Sequence, residues 1–169
     1  MASSTQKQKV FPMQKQQEPD WCWDAVAVSV ARYFDPKTKW TQATLAEHVL
    51  DVTSVAQADQ PFYLQNALES MGKLSENPQG FLSFAQIQQE LVANRPVCVH
   101  IAWNEGGSHY VVVSGYGKSP GGSPQVYVSD PILQDGNVII WDYDAFVTAY
   151  NPSYTSAEGT WADSCLVHP

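Results

Sequence analysis

Helices first and antiparallel strands second, an α+β fold, is what this chain predicts. Apolar residues recur at helical spacing behind capping signals as far as Asn94. After Arg95-Pro96 the period drops to about 2 and the residues become β-branched or aromatic. No internal repeat or linker divides the 169 residues, so a single domain of two packed layers is expected. We place a loose polar segment at 1–13, becoming ordered near Val10 to Met13, and the domain at 14–169.

The first helix, about 22 to 34, begins where Asp20 can cap it. It stops before Asp35-Pro36, because proline disfavours helical geometry in the residue preceding it. Thr41 caps a second helix to about Leu50. Pro61 suits a first-turn position of a third, with Phe62, Leu64, Ala67, Leu68 and Met71 on one face and Gly72 as its stop. Ser83 and Gln86 spell a capping box for a fourth, which carries Phe84, Ile87, Leu91 and Val92 inward. Strands are expected at Val97 to Trp103, Tyr110 to Tyr116, Val126 to Ser129, Val138 to Trp141 and near Trp161 to Val167. Between them, Asn104 to Ser108, Lys118 to Pro124 and Gln134 to Asn137 carry turn chemistry.

Hydrophobic residues make up 44% of the chain and charged residues 15%, below the roughly 25% charge of an average globular protein. A formal net charge of −8 without any Lys/Arg-rich run argues against nucleic acid or an anionic membrane as partner. No apolar run nears the ~18 residues of a membrane span, and Met1 to Val10 lack an apolar signal core. A soluble monomer is expected, either cytosolic or exported without a cleaved leader. Three cysteines cannot all pair and make no disulfide framework.

Cys22 sits where a loop becomes a helix. Its thiol meets unpaired backbone amides and the positive end of the helix dipole, which favour the thiolate, the nucleophilic form. A lone cysteine in an apolar helix is ordinarily a small buried hydrophobe, so its partners decide. His109 stands at a strand mouth behind the Glu105-Gly106-Gly107-Ser108 loop, and Asp130 closes the next strand before Pro131. If those strands are antiparallel neighbours, the two side chains meet. His109 would then take the thiol proton and Asp130 would hold the ring in the useful tautomer. Gln16, six residues before Cys22, could donate to an oxyanion beside the Cys22 amide, with Gln14 and Gln17 as rivals. Trp103, beside the glycine loop, is a candidate cleft wall. Trp21, Trp23 and Gly107 are further candidates for the same cleft.

Four motifs in this order resemble papain-like cysteine proteases: Gln16 to Trp23 with Trp-Cys-Trp at a helix start, Arg95-Pro96-Val97, Gly107-Ser108-His109-Tyr110 running on to Tyr116, and Ser129-Asp130-Pro131. The closer resemblance is to the compact branch holding the AvrRpt2-type bacterial effector proteases and the C39-like peptidases, and it spans about residues 14 to 165. It implies a papain-like fold, with Cys22 as nucleophile, His109 as base, Asp130 as orienting residue and Gln16 as oxyanion donor. Protein or peptide would be the substrate, no cofactor would be needed, and the protein would be a secreted or translocated effector. Cys22 and His109 lie closer in sequence than the ~130 residues usual in large papain enzymes, which suits the compact branch. The family position after Trp-Cys-Trp is often small, whereas Asp24 stands here and adds a negative charge near the helix start.

Cys98 and His100 share a strand face and could be imagined as zinc ligands with Cys165, but no Cys-x-x-Cys pair supports a metal. Cys98 reads as core, His100 as a satisfied buried or edge residue, and His48 and His168 as solvated. No Gly-x-Ser-x-Gly elbow points to a serine hydrolase. Two alternatives to an endopeptidase remain. One is a papain-fold binding module without turnover. The other is acyl transfer or glutamine deamidation on the same residues.

Overall fold

The computed structural model describes residues 10–133 and 137–169. The expected loose terminus at 1–9 and most of the turn at 134–137 lie outside the described residues. Twelve elements follow one another among those described. They are α1 (Cys22–Phe34), α2 (Gln42–Leu50), α3 (Val55–Ala58), α4 (Leu64–Ser70), β1 (Leu74–Glu76), α5 (Phe84–Val92), β2 (Val97–Trp103), β3 (Ser108–Lys118), β4 (Pro124–Ser129), β5 (Val138–Asp142), α6 (Tyr143–Thr148) and β6 (Gly159–Val167).

The strands form one antiparallel sheet in the order β1-β6-β2-β3-β4-β5. Period-2 alternation gives the sheet two apolar faces. Cys98, Tyr110, Val112, Cys165 and Val167 meet a core built by α1, α2 and α4. Val97, Val99, Ile101, Val111, Val113, Val126 and Val128 meet Ile87 of α5 and Phe146 of α6 on the other side. The fold is therefore α+β and compatible with a papain-like architecture, but the sheet is covered on both faces, so the expected two layers are three. A sheet whose strands read as continuous apolar runs has two faces to bury, and α6, missed in the sequence, helps to cover the second.

The expected capping box of Ser83 with Gln86 forms at α5, and Thr41, expected as a cap, makes a capping box with Thr44 at α2. The third expected helix starts at Leu64 rather than at Pro61. The start of α1 also differs from expectation. Trp21 occupies the N-cap without a side-chain cap bond, and the backbone N–H of Asp20 instead donates to Asp59 Oδ1 at 3.1 Å. Tryptophan anchors replace the cap. Trp21 Nε1 donates to the Ala58 carbonyl at 2.9 Å and Trp23 Nε1 to the Gln60 carbonyl at 3.1 Å. Phe11 and Met13, in the stretch where order was expected to begin, are buried, with Phe11 against Tyr33.

Candidate active site

The β2–β3 hairpin aims the histidine. Gly106 and Gly107 hold φ of +96° and +84°, values that glycine adopts freely, and the Trp103 N–H closes the turn onto the Gly107 carbonyl at 3.1 Å. His109 is thereby the second residue of β3, opposite Ile101. The β3–β4 register pairs Val112 with Ser129, so Asp130 emerges one residue past the last pair, toward the start of β3. His109 Nε2 lies 2.9 Å from Asp130 Oδ1. The other ring nitrogen, Nδ1, is not used by Asp130, and Cys22 lines the same cleft as His109 and interacts with its imidazole. Only 4% of His109 and 1% of Asp130 is exposed.

Electrostatics couple these groups. Burial by itself lowers the pKa of His109, but hydrogen bonds to Asp130 and Cys22 and their charges outweigh it, and the imidazole rises to about 9. For Asp130 burial pushes upward, yet His109 and the Tyr154 and Tyr150 hydroxyls together bring the carboxyl below its ordinary value. Asp130 accepts from four groups. Oδ1 takes His109 Nε2 and the Ile132 N–H at 2.9 Å, while Oδ2 takes Tyr150 Oη at 2.7 Å and Tyr154 Oη at 2.6 Å. Trp103 lies nearly parallel to the His109 ring at 6.0 Å and to Tyr150 at 6.2 Å, keeping water from the pair. Its approach needs Gly159, where a Cβ would stand 2.7 Å from Trp103 Cε3.

Cys22, His109 and Gln16 line one cleft of about 470 Å³, together with Trp23, Trp103 and Gly107. Trp21 does not line it. It is 1% exposed and spends its indole on Ala58, so it anchors the helix and is no part of the cleft. Gln14 and Gln17 do not line this cleft; they face a polar hollow with Gln16, Arg32 and Gln42. Gln16 is held next to Asp130 by its backbone N–H, which donates to the Pro131 carbonyl at 2.8 Å. Its side chain is not poised, however. Nε2 donates to the carbonyls of Glu18 at 3.1 Å and Pro19 at 2.8 Å, which uses both amide hydrogens, and buried Oε1 has no partner among the described residues. To serve an oxyanion, that amide must turn away from at least one of these carbonyls.

Asp24 corrects the sequence reading. It is fully buried, and neither carboxylate oxygen has a hydrogen-bond partner among the described residues. Burial pushes it up to about 9, so at neutral pH it is a neutral acid and adds no negative charge at the helix start. The remaining cysteines are disposed differently from Cys22. Cys98 and Cys165 face each other across β2 and β6, and burial raises both thiols, Cys165 to about 12. His100 pairs with Asp163 at 2.6 Å. Among the described residues no group of three His, Cys, Asp or Glu is placed to hold a metal ion.

Tyr150 and Tyr154 are the residues that sequence reasoning missed. Asn151-Pro152-Ser153 reads only as a turn, and nothing local says that the tyrosines on either side of it converge on Asp130.

A cysteine at a helix start, facing a histidine at a strand mouth across a cleft, on an α+β frame, is the layout of the papain class of proteases. The sequence model of the family described as papain-like cysteine protease AvrRpt2 matches residues 4–151. The chain belongs to that family. A search of curated proteins finds no match. Among the described residues no helix is long and apolar enough to cross a membrane.

Proposed function

We propose that the chain is an endopeptidase in which Cys22 attacks a peptide carbonyl of a protein substrate, His109 moves the protons, Asp130 orients His109, and Gln16 donates to the oxyanion. The observation that carries this reading is His109, held by Asp130 through Nε2 in the cleft that Cys22 also lines. In the first half-reaction the thiolate adds to the carbonyl carbon. Negative charge builds on the carbonyl oxygen, within reach of the Cys22 backbone N–H and of Gln16 once its amide has turned. The tetrahedral species collapses as His109 gives its proton to the leaving amine. His109 then takes a proton from water, which displaces the cysteine from the acyl group and releases the acid.

Among the described residues the N-cap of α1 makes no side-chain cap bond, which supports the oxyanion role by leaving an N-terminal N–H free of a capping side chain. A delivery role follows from the family likeness alone: we read the protein as an effector exported to act on a host protein, with no nucleic acid, membrane or cofactor required. The spent donors of Gln16 favour one second reading, a binding module on the same fold. Hydrolysis of a denatured protein mixture by wild type and Cys22→Ala separates the two. The protease reading predicts new N-termini that vanish in the variant, whereas no cleavage by wild type contradicts it. A mass change of about one dalton on intact substrate would instead indicate deamidation.

A further inference from the structure

Asp130 receives two phenol hydroxyls, and the two tyrosines are not equivalent. Tyr150 is fully buried, with ring contacts to Trp141, Phe146 and Trp103, and belongs to the core. Tyr154 is half-buried, lines the cleft, and meets the His109 ring edge-on at 6.2 Å and 75°. It lies beyond the residues that match the family. Its loop is closed at the base. Tyr150 and Gly159 exchange both backbone hydrogen bonds, at 2.8 and 2.9 Å, and the Thr155 N–H donates to the carbonyl of buried Pro152 at 3.1 Å. The chain thus fixes an otherwise exposed loop so that one phenol reaches a buried carboxylate.

We infer that Tyr154 is a positioning residue: its hydroxyl fixes the Asp130 carboxylate so that Oδ1 meets His109 Nε2 and the ring presents Nδ1 to Cys22. This rests on the triad reading given above. The groups facing Asp130 are His109 from β3, the two tyrosines from the stretch after α6 and the Ile132 N–H of its own loop, with Cys22 of α1 acting through His109. Burial and the Asp130 charge push both phenols upward, so each remains an O–H donor over the working range. A carboxylate that loses one charge-assisted donor takes a proton at higher pH. Once protonated it no longer holds the imidazolium, and the thiolate loses its partner.

The test is the rate of Cys22 alkylation by iodoacetamide across pH 3 to 9 in wild type, Tyr154→Phe and His109→Ala, with the Asp130 carboxyl carbon followed by NMR. Tyr154→Phe should move the acid edge of the rate profile and the Asp130 midpoint up together by about one pH unit, the worth of one charge-assisted hydrogen bond. Should Tyr154→Phe lower the rate equally at all pH values, or leave profile and midpoint unmoved while His109→Ala abolishes the acid-range reaction, the positioning role is wrong and the triad stands. If His109→Ala leaves the wild-type profile unchanged, the triad reading falls and this inference with it. The carboxyl signal reports on Asp130 even where a variant reacts too slowly to measure.

Discussion

The end of β4 and the first turn of α1 each bury an aspartate, and the two environments are opposites. Asp130 takes four donors and is held below the ordinary carboxylate range, while Asp24 takes none among the described residues and rises to about 9. Exposure is nearly identical, 1% against none. Burial alone therefore does not decide ionisation; the donors that burial brings along do. The charge at β4 is where the proposed chemistry wants an anion, beside an imidazolium. At the helix start, two residues from the nucleophile, the same residue type is kept neutral.

Removing each acid sharpens this contrast, and Asp130→Ala should have the larger effect. It strips His109 of its carboxylate partner and leaves one buried phenol, one half-buried phenol and an amide without an acceptor, so a loss of about 3–5 kcal/mol is expected, read from the denaturant midpoint. A loss below about 1 kcal/mol would mean that water replaces the carboxylate and that the site is wetter than described. Asp24→Ala should act in the other direction and depend on pH. The folded acid holds its proton up to about 9 while the unfolded one ionises near 3.8, so wild-type stability falls as pH climbs between those values. The advantage of Asp24→Ala over wild type should grow from pH 4 to 8, by up to about 1.4 kcal/mol per unit. A difference independent of pH would show that Asp24 has a partner after all.

His109 adds its own dependence with a different window. Its pKa is raised from 6.5 to about 9, so its contribution is complete below 6.5 and is lost as pH rises through 9. The depressed Asp130 contributes above about 3.8 and is lost as pH falls through its lower folded value. The pair is therefore fully stabilising between those two limits.

The sequence showed most where local chemistry is strong. The cap at Thr41, the capping box at Ser83 and the apolar run of β2 could be read directly, because each is specified by residues a few positions apart. Short α3, β1 and α6 could not, since elements of three to six residues form only against tertiary neighbours. The start of α1 misled because a capping aspartate is a local signal, whereas two indoles reaching carbonyls 37 residues away are not. In the cleft, antiparallel order was enough to bring His109 toward Asp130. The Gln16 donors, the neutral Asp24 and the two tyrosines depend on side-chain placement that no spacing encodes.

The central claim is that His109 is held between Asp130 and Cys22, and the direct measurement is an ¹⁵N NMR titration of the His109 ring in wild type and Cys22→Ala. The imidazolium should persist to about pH 9 in wild type and be lost at clearly lower pH without the thiol, which contributes to raising it. Superimposable curves, with both rings titrating near 6.5, would contradict the account, because His109 would then be a buried histidine that Cys22 does not sense.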